Sequence, residues 1–218
     1  MHEHDRFAAA LGLVSGGRVE MGMGESATTT ELHPFDVRFR DKREVWEDAV
    51  RATLPMFWND AWEYHGDHFD FPKRNVIPEP RQKPHPPLWV ACSQLETIRM
   101  AGRRGMGALG FQFISAEAAQ AWVHAYYNAF TREQELLCEY VPNPNIAVVS
   151  QFMCAPTDEE AQARAEGSSF FQFALGFYAP HAPGNPGEIQ LWEEYLAFRA
   201  TQAGSKQRVG RPIGSPET

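Results

Sequence analysis

The chain predicts an α/β fold on a parallel sheet, either an α/β barrel or a doubly wound sheet, because strand-like and helix-like segments alternate along its 218 residues. Two further observations carry this reading. Short apolar runs at Leu88–Cys92 and Asn145–Met153 have strand character, and each is followed by helix-start spacing, Ser93 with Glu96 and Thr157 with Glu160. Composition permits a packed core, since 43% of residues are hydrophobic and a chain of this size buries about 70% of its unfolded surface. The net charge of −8 opposes a phosphate-backbone binder or a polybasic membrane-surface protein, so neither nucleic acid nor membrane is an expected partner.

In chain order, Arg6–Val14 reads as a helix with Phe7, Leu11 and Val14 on its apolar side, stopped by Ser15-Gly16-Gly17. Arg18–Gly24 reads as a short strand, and residues 25–30 as a polar loop. A helix is expected from an Asp41 cap with Glu44 three residues on, its inner face carrying Val45, Trp46, Ala49, Val50, Leu54, Met56 and Phe57. Residues 59–86 have many prolines and aromatics and little periodicity, which fits an ordered excursion over the surface. The strand Leu88–Cys92 then leads to a helix capped by Ser93 and closed by Gly105. A strand at Met106–Phe113 precedes a long helix capped by Ser115, and the strand Asn145–Met153 precedes a helix from Thr157. The remainder reads as helix, Pro/Gly loop and helix, and Ser215-Pro216 has the form of another helix start. Four β-α units amount to about half of a (β/α)8 barrel, which typically takes about 250 residues. The expectation is therefore an internal piece of a longer protein.

Active sites in parallel α/β folds lie at the carboxyl ends of strands, so the candidates fall in Gly24–Ser26, Cys92–Gln94, Gln112–Ile114 and Phe152–Ala155. Gly24 would let a ligand approach the backbone. Ser93 at a helix start could bind phosphate through its hydroxyl and free backbone N–H groups, or merely cap the helix. Cys92 is either a reactive thiolate near a helix start or a small buried hydrophobe. His65 and His68 have H-x-x-H spacing with no third ligand nearby, which fits a surface loop better than a metal site. Glu31 and His33 stand in the loop after the first strand. Trp62, Tyr64, Phe69, Phe111, Phe113 and the Phe170–Tyr178 cluster suit an apolar pocket or core packing equally. Three cysteines without a C-x-x-C pair, and an amino terminus without a secretory pattern, lead to a reducing cytoplasm as the expected compartment.

The run Leu13-Val14-Ser15-Gly16-Gly17-Arg18-Val19-Glu20-Met21-Gly22-Met23-Gly24 resembles the helix, SGGR, strand, GxG signature of bacterial-luciferase-like flavin-dependent monooxygenases. The order that follows is similar too: Glu31 with Phe35; Arg43, Trp46 and Glu47; Gly66 before Phe69; Pro78-Glu79-Pro80-Arg81-Gln82-Lys83-Pro84-His85-Pro86-Pro87 leading to Leu88-Trp89-Val90-Ala91; and Gly214-Ser215-Pro216-Glu217. The resemblance implies an α/β fold that is a partial TIM (β/α)8 barrel, about four central β-α units with a C-terminal helical insertion, over a single incomplete domain spanning residues 1–218. It implies an oxidoreductase that uses reduced FMN from a partner flavin reductase, with O2, on a small-molecule substrate. The deazaflavin F420, transferring hydride, is the alternative cofactor, and a non-catalytic half-barrel acting as an interaction module is the alternative from another class.

On the same resemblance the cofactor-binding candidates are Met23, Gly24, Cys92, Ser93, Gln94 and Thr97, and the full-length protein is expected to be a homo-oligomer. Two positions depart from the family pattern: Glu25 stands where luciferases place a basic residue, and Glu96 where they place a threonine, with Thr97 adjacent. The family's first three strands, with a histidine and a cis peptide beneath the flavin ring, would lie upstream of Met1, and its last strand beyond Thr218. No catalytic residue is therefore assigned, and four strands alone are expected to leave the chain marginal, self-associating or inactive.

Overall fold

A computed structural model describes residues 2–26, 28–110, 116–149, 152–178, 190–202 and 213–217. Helix α1 (His2–Val14) ends as its glycines require. Gly16 and Gly17 take φ of 71° and 84°, a left-handed conformation costly for other residues, and the Gly17 N–H returns to the Gly12 carbonyl at 2.8 Å. Strand β1 is Met21–Met23, shorter than expected. The segment read as a polar loop contains a short helix, α2 (Thr29–Leu32), whose cap is the Thr28 hydroxyl accepting from the Glu31 N–H.

Helix α3 (Lys42–Thr53) buries Trp46 and Val50, and the 3-10 turn Leu54–Phe57 continues that face. Asp41 holds the N-cap position, but its carboxylate turns to Arg38 (2.5 Å) and Arg40 (3.3 Å), so the expected cap bond is not made. The excursion at 59–86 is ordered and holds an antiparallel hairpin, β2 (Ala61–His65) with β3 (Asp70–Asn75). Its turn is stapled to α3. The buried Asp48 carboxylate accepts from the backbone N–H groups of His68 (2.9 Å) and Phe69 (3.2 Å) and from the Tyr64 hydroxyl. Burial pushes the Asp48 carboxyl up, but these three donors outweigh it and hold the group below the ordinary aspartate value.

Strands β4 (Leu88–Cys92), β5 (Gly107–Gly110) and β6 (Ile146–Val148) join β1 in a parallel sheet of order β1-β4-β5-β6. Helices α4 (Leu95–Arg103) and α5 (Ala116–Arg132) supply the crossovers. They approach closely because Gly102 has no side chain: a Cβ there would stand 2.5 Å from the Tyr126 carbonyl oxygen. Tyr126 is fully buried beneath them, its hydroxyl proton shared between the carbonyls of Met106 (3.0 Å) and Asn143 (2.9 Å). Phe111, Phe113, the Gln112–Ile114 loop and the Ser115 cap lie outside the described residues.

The run 145–153 does not form one strand. Its first part is β6, while β7 (Met153–Cys154) pairs in parallel with β8 (Ile213–Gly214), a strand the sequence reading omitted. The expected helix at Ser215 is not formed by residues 215–217; the Ser215 N–H instead donates to Asp158 at 2.7 Å. That carboxylate belongs to α6 (Asp158–Arg164), which Thr157 caps by accepting from the Glu160 N–H at 3.2 Å. The Glu160 carboxylate does not turn back to complete a capping box but pairs with Arg164 at 2.5 Å. Helices α7 (Glu166–Tyr178) and α8 (Leu191–Gln202) pack through aromatic rings, Phe170 and Phe173 against Trp192, Tyr195 and Phe198 at centroid distances of 5.2–5.5 Å. No described helix is long and apolar enough to cross a membrane.

Candidate functional site

Parallel pairing of Met23 with Val90 brings the carboxyl ends of β1 and β4 side by side. Gly24 lies exposed just beyond β1, and a Cβ on it would reach only the Ala91 methyl, at 3.6 Å. Met23 packs into the core, so only its backbone faces this end. Cys92 is likewise fully buried, its Sγ 3.3 Å from the Val90 carbonyl oxygen. Burial pushes its thiol up to about 12, so it is a packed hydrophobe and not a thiolate.

The Ser93–Glu96 capping box is not formed. Helix α4 begins one residue later than its spacing implies, with Gln94 at the N-cap in extended conformation (φ −142°, ψ 155°) and no side-chain cap bond. Strand geometry persists to Cys92, and Ser93 is consumed in leaving it. Ser93 therefore precedes the cap, Thr97 sits buried in the first turn, and the first N–H groups of α4 have no side-chain acceptor among the described residues. Such a start carries partial positive charge. Glu96 points outward, its side chain 63% exposed, with Arg99 at 3.9 Å.

Two residues outside the candidate set matter here: Lys42, which the sequence did not single out, and Arg43, which stood only in the family-like run with Trp46 and Glu47. Glu25, where a base was expected, is a carboxylate with only 8% of its side chain exposed, and Arg43 grips both its oxygens at 2.8 and 3.0 Å. Lys42 stands 3.7 Å from the same carboxylate and donates to the Ser26 carbonyl at 2.7 Å. Burial alone would raise the Glu25 pKa, but the Arg43 hydrogen bonds and the charges of Arg43 and Lys42 hold it below the ordinary carboxylate value. Lys42 and Arg43 thus set two cations against the buried Glu25, with Arg43 also in the field of the Glu96 and Glu47 carboxylates. A signal for this cluster existed: bases in the first turn of a helix oppose its dipole and need an anionic partner. Ser26, next to Glu25, takes φ of 68° and bonds through its hydroxyl to Glu31, so the loop after β1 is a defined turn.

The remaining candidates lie elsewhere or are committed. His65 pairs with Asp70 at 2.7 Å and His68 approaches Glu44 at 3.5 Å, and among the described residues no cluster of three His, Cys, Asp or Glu side chains could hold a metal ion. His33 is exposed in the 3-10 turn His33–Phe35. Trp62, Tyr64 and Phe69 pack with Ala52, Met56 and Phe71 in a second small core.

Comparison with known proteins places this geometry. The oxygenase component of a flavin-dependent trigonelline monooxygenase from Acinetobacter baylyi is 23% identical over 218 residues, covering 96% of this chain and 58% of that protein. Two solved structures superpose with TM-scores of 0.66: the oxygenating constituent of 3,6-diketocamphane monooxygenase of Pseudomonas putida in complex with FMN, and an F420-dependent secondary alcohol dehydrogenase in complex with an F420-acetone adduct. Their identities are 16% and 13%, over 99% and 98% of this chain and 63% and 61% of theirs. At those identities they speak to fold alone, and the four-stranded sheet with its helices is part of a (β/α)8 barrel. The chain thus spans less than two thirds of the length of these relatives. The family model for luciferase-like monooxygenases matches residues 6–215, and the chain belongs to that family.

Proposed function

We propose that the carboxyl end of this sheet holds the phosphate end of reduced FMN, in the oxygenase of a two-component monooxygenase acting on a small organic substrate. The observation that carries this reading is the Glu25–Lys42–Arg43 cluster beside an uncapped helix start. Lys42 and Arg43 provide the counter-charge that Glu25 cannot, and the Ser93 hydroxyl and the first N–H groups of α4 supply donors of the type that phosphate oxygens accept. Gly24 keeps the surface over β1 clear of side chain, Gln94 borders it, and Met23 and Cys92 contribute backbone only. Thr97 fixes the first turn from the buried side. When bound, the reduced flavin supplies the electrons with which O2 is activated, while the chain anchors and orients it. A partner flavin reductase delivers it in this reading.

The deazaflavin reading has one specific support, the structural likeness to an F420-dependent dehydrogenase, and both cofactors carry phosphate for the same anchor. Anaerobic titration of the full-length protein with reduced FMN and with F420, followed by turnover under 18O2, separates them. Tighter FMN binding with labelled oxygen in the product is expected; tighter F420 binding with hydride transfer and no oxygen uptake would overturn the FMN assignment. Failure of both to bind would favour the non-catalytic module. The exposed Phe7, Leu11 and Val14 of α1 support self-association, measurable by light scattering.

A further inference from the structure

We propose that a cavity at the amino end of the sheet binds a small apolar carboxylate, with Arg74 as its counter-ion. Helix α3 starts beside Glu25 and runs for 12 residues, roughly 18 Å at about 1.5 Å per residue, so Met56 and Phe57 beyond it lie at the end opposite the phosphate site. There a cavity of about 420 Å³ opens between these two side chains, Trp62 and Phe71 of the hairpin, and Ile77 beyond it. That volume suits a small molecule.

The lining is apolar in chemistry as well as in residue type. The one polar atom of the Trp62 side chain is already spent, its Nε1–H donating to the Ala52 carbonyl at 2.9 Å. Asn75 and Arg74 are the polar exceptions, Arg74 the one charged group, and backbone geometry puts Arg74 there. Trp62 pairs with Arg74 and Tyr64 with Phe71, so Pro72 and Lys73 together oppose Glu63 and β3 carries a bulge. With strict alternation, Phe71 and Arg74 would point to opposite faces of the hairpin. The extra residue returns Arg74 to the apolar side beside Phe71, where it joins the cavity wall.

Among the described residues no carboxylate lies within ion-pair distance of Arg74, and the residue is exposed, as expected for a guanidinium at the mouth with its stem along the wall. Among the described residues no acidic side chain lines the cavity. An apolar body and one cation with a planar donor fork match a monocarboxylate, aryl or short-chain aliphatic, through a two-point hydrogen bond.

The test is titration of the 218-residue chain with octanoate and with its neutral analogue octanol, read by tryptophan fluorescence. A saturable change is expected that disappears in Trp62→Phe. Arg74→Gln should weaken octanoate about tenfold while leaving octanol unchanged, and Arg74→Lys should restore part of the loss. Circular dichroism verifies that each variant is folded. Equal octanoate affinity in Arg74→Gln and the parent chain, a signal that survives Trp62→Phe, or no saturable change at all would overturn the proposal.

Discussion

The two faces of the parallel sheet are built from different materials. On one, Leu88, Val90, Cys92 and Ala108 are fully buried against α4, α5 and the inner face of α3. On the other, Gly22, Gly24, Ala91 and Ala147 are exposed with no side chain larger than a methyl, beside Trp89 and Leu109, which are only half-buried. Each buried Leu or Val contributes about 1.5–3 kcal/mol, whereas glycine and alanine have almost nothing to bury. Folding energy is therefore concentrated on the helix side. The open side and its carboxyl rim are available for ligand and for further protein, which is how a barrel divides stability from function.

This contrast can be broken deliberately. The largest effect is expected from Gly102→Val, which drives a branched side chain into the Tyr126 and Phe130 backbone and should cost at least about 3 kcal/mol in chemical denaturation. Tyr126→Phe follows at about 2 kcal/mol, since the buried carbonyls of Met106 and Asn143 lose their shared donor. Glu25→Gln at the rim should cost about 1–2 kcal/mol at neutral pH, between the values for exposed and for fully buried ion pairs. The sign of its pH dependence follows from the lowered Glu25 pKa. Its stabilisation is complete above the ordinary glutamate range and is lost as pH falls through the depressed folded-state value, so the variant should show a smaller acid-side loss of denaturation midpoint. On the open face Ala91→Val should change stability by less than about 0.5 kcal/mol. A loss there comparable to that of Gly102→Val would mean that the open face is packed after all.

The helix side was legible in the sequence because its signals are local. The strand at Leu88–Cys92, the periodic face of α3, the Gly16-Gly17 stop and the Thr157 cap depend on residues within a few positions of one another. Elements fixed by distant partners were not legible. The β2–β3 hairpin hides in Asp70-Phe71-Pro72-Lys73-Arg74-Asn75, where a proline and two bases mask any alternation, and the buried Asp48 that holds its turn comes from α3. The run 145–153 has strand propensity throughout, but pairing divides it between β5 and the distant β8. At the rim, the Ser93–Glu96 pattern was followed one residue too early because Gln94 is still extended and itself holds the cap position. Lys42 and Arg43 were not offered as site residues, because their partner Glu25 lies 17 and 18 positions away in the chain.

The central claim, that the carboxyl rim is a phosphate anchor, is tested most directly by comparing FMN with riboflavin, which shares the ring and lacks the phosphate. Equilibrium titration by fluorescence should give FMN an advantage of at least about tenfold, equivalent to about 1.4 kcal/mol, and the advantage should collapse in Lys42→Ala/Arg43→Ala while riboflavin affinity stays unchanged. Equal binding of the two flavins, or an FMN advantage that survives loss of both bases, would contradict the account.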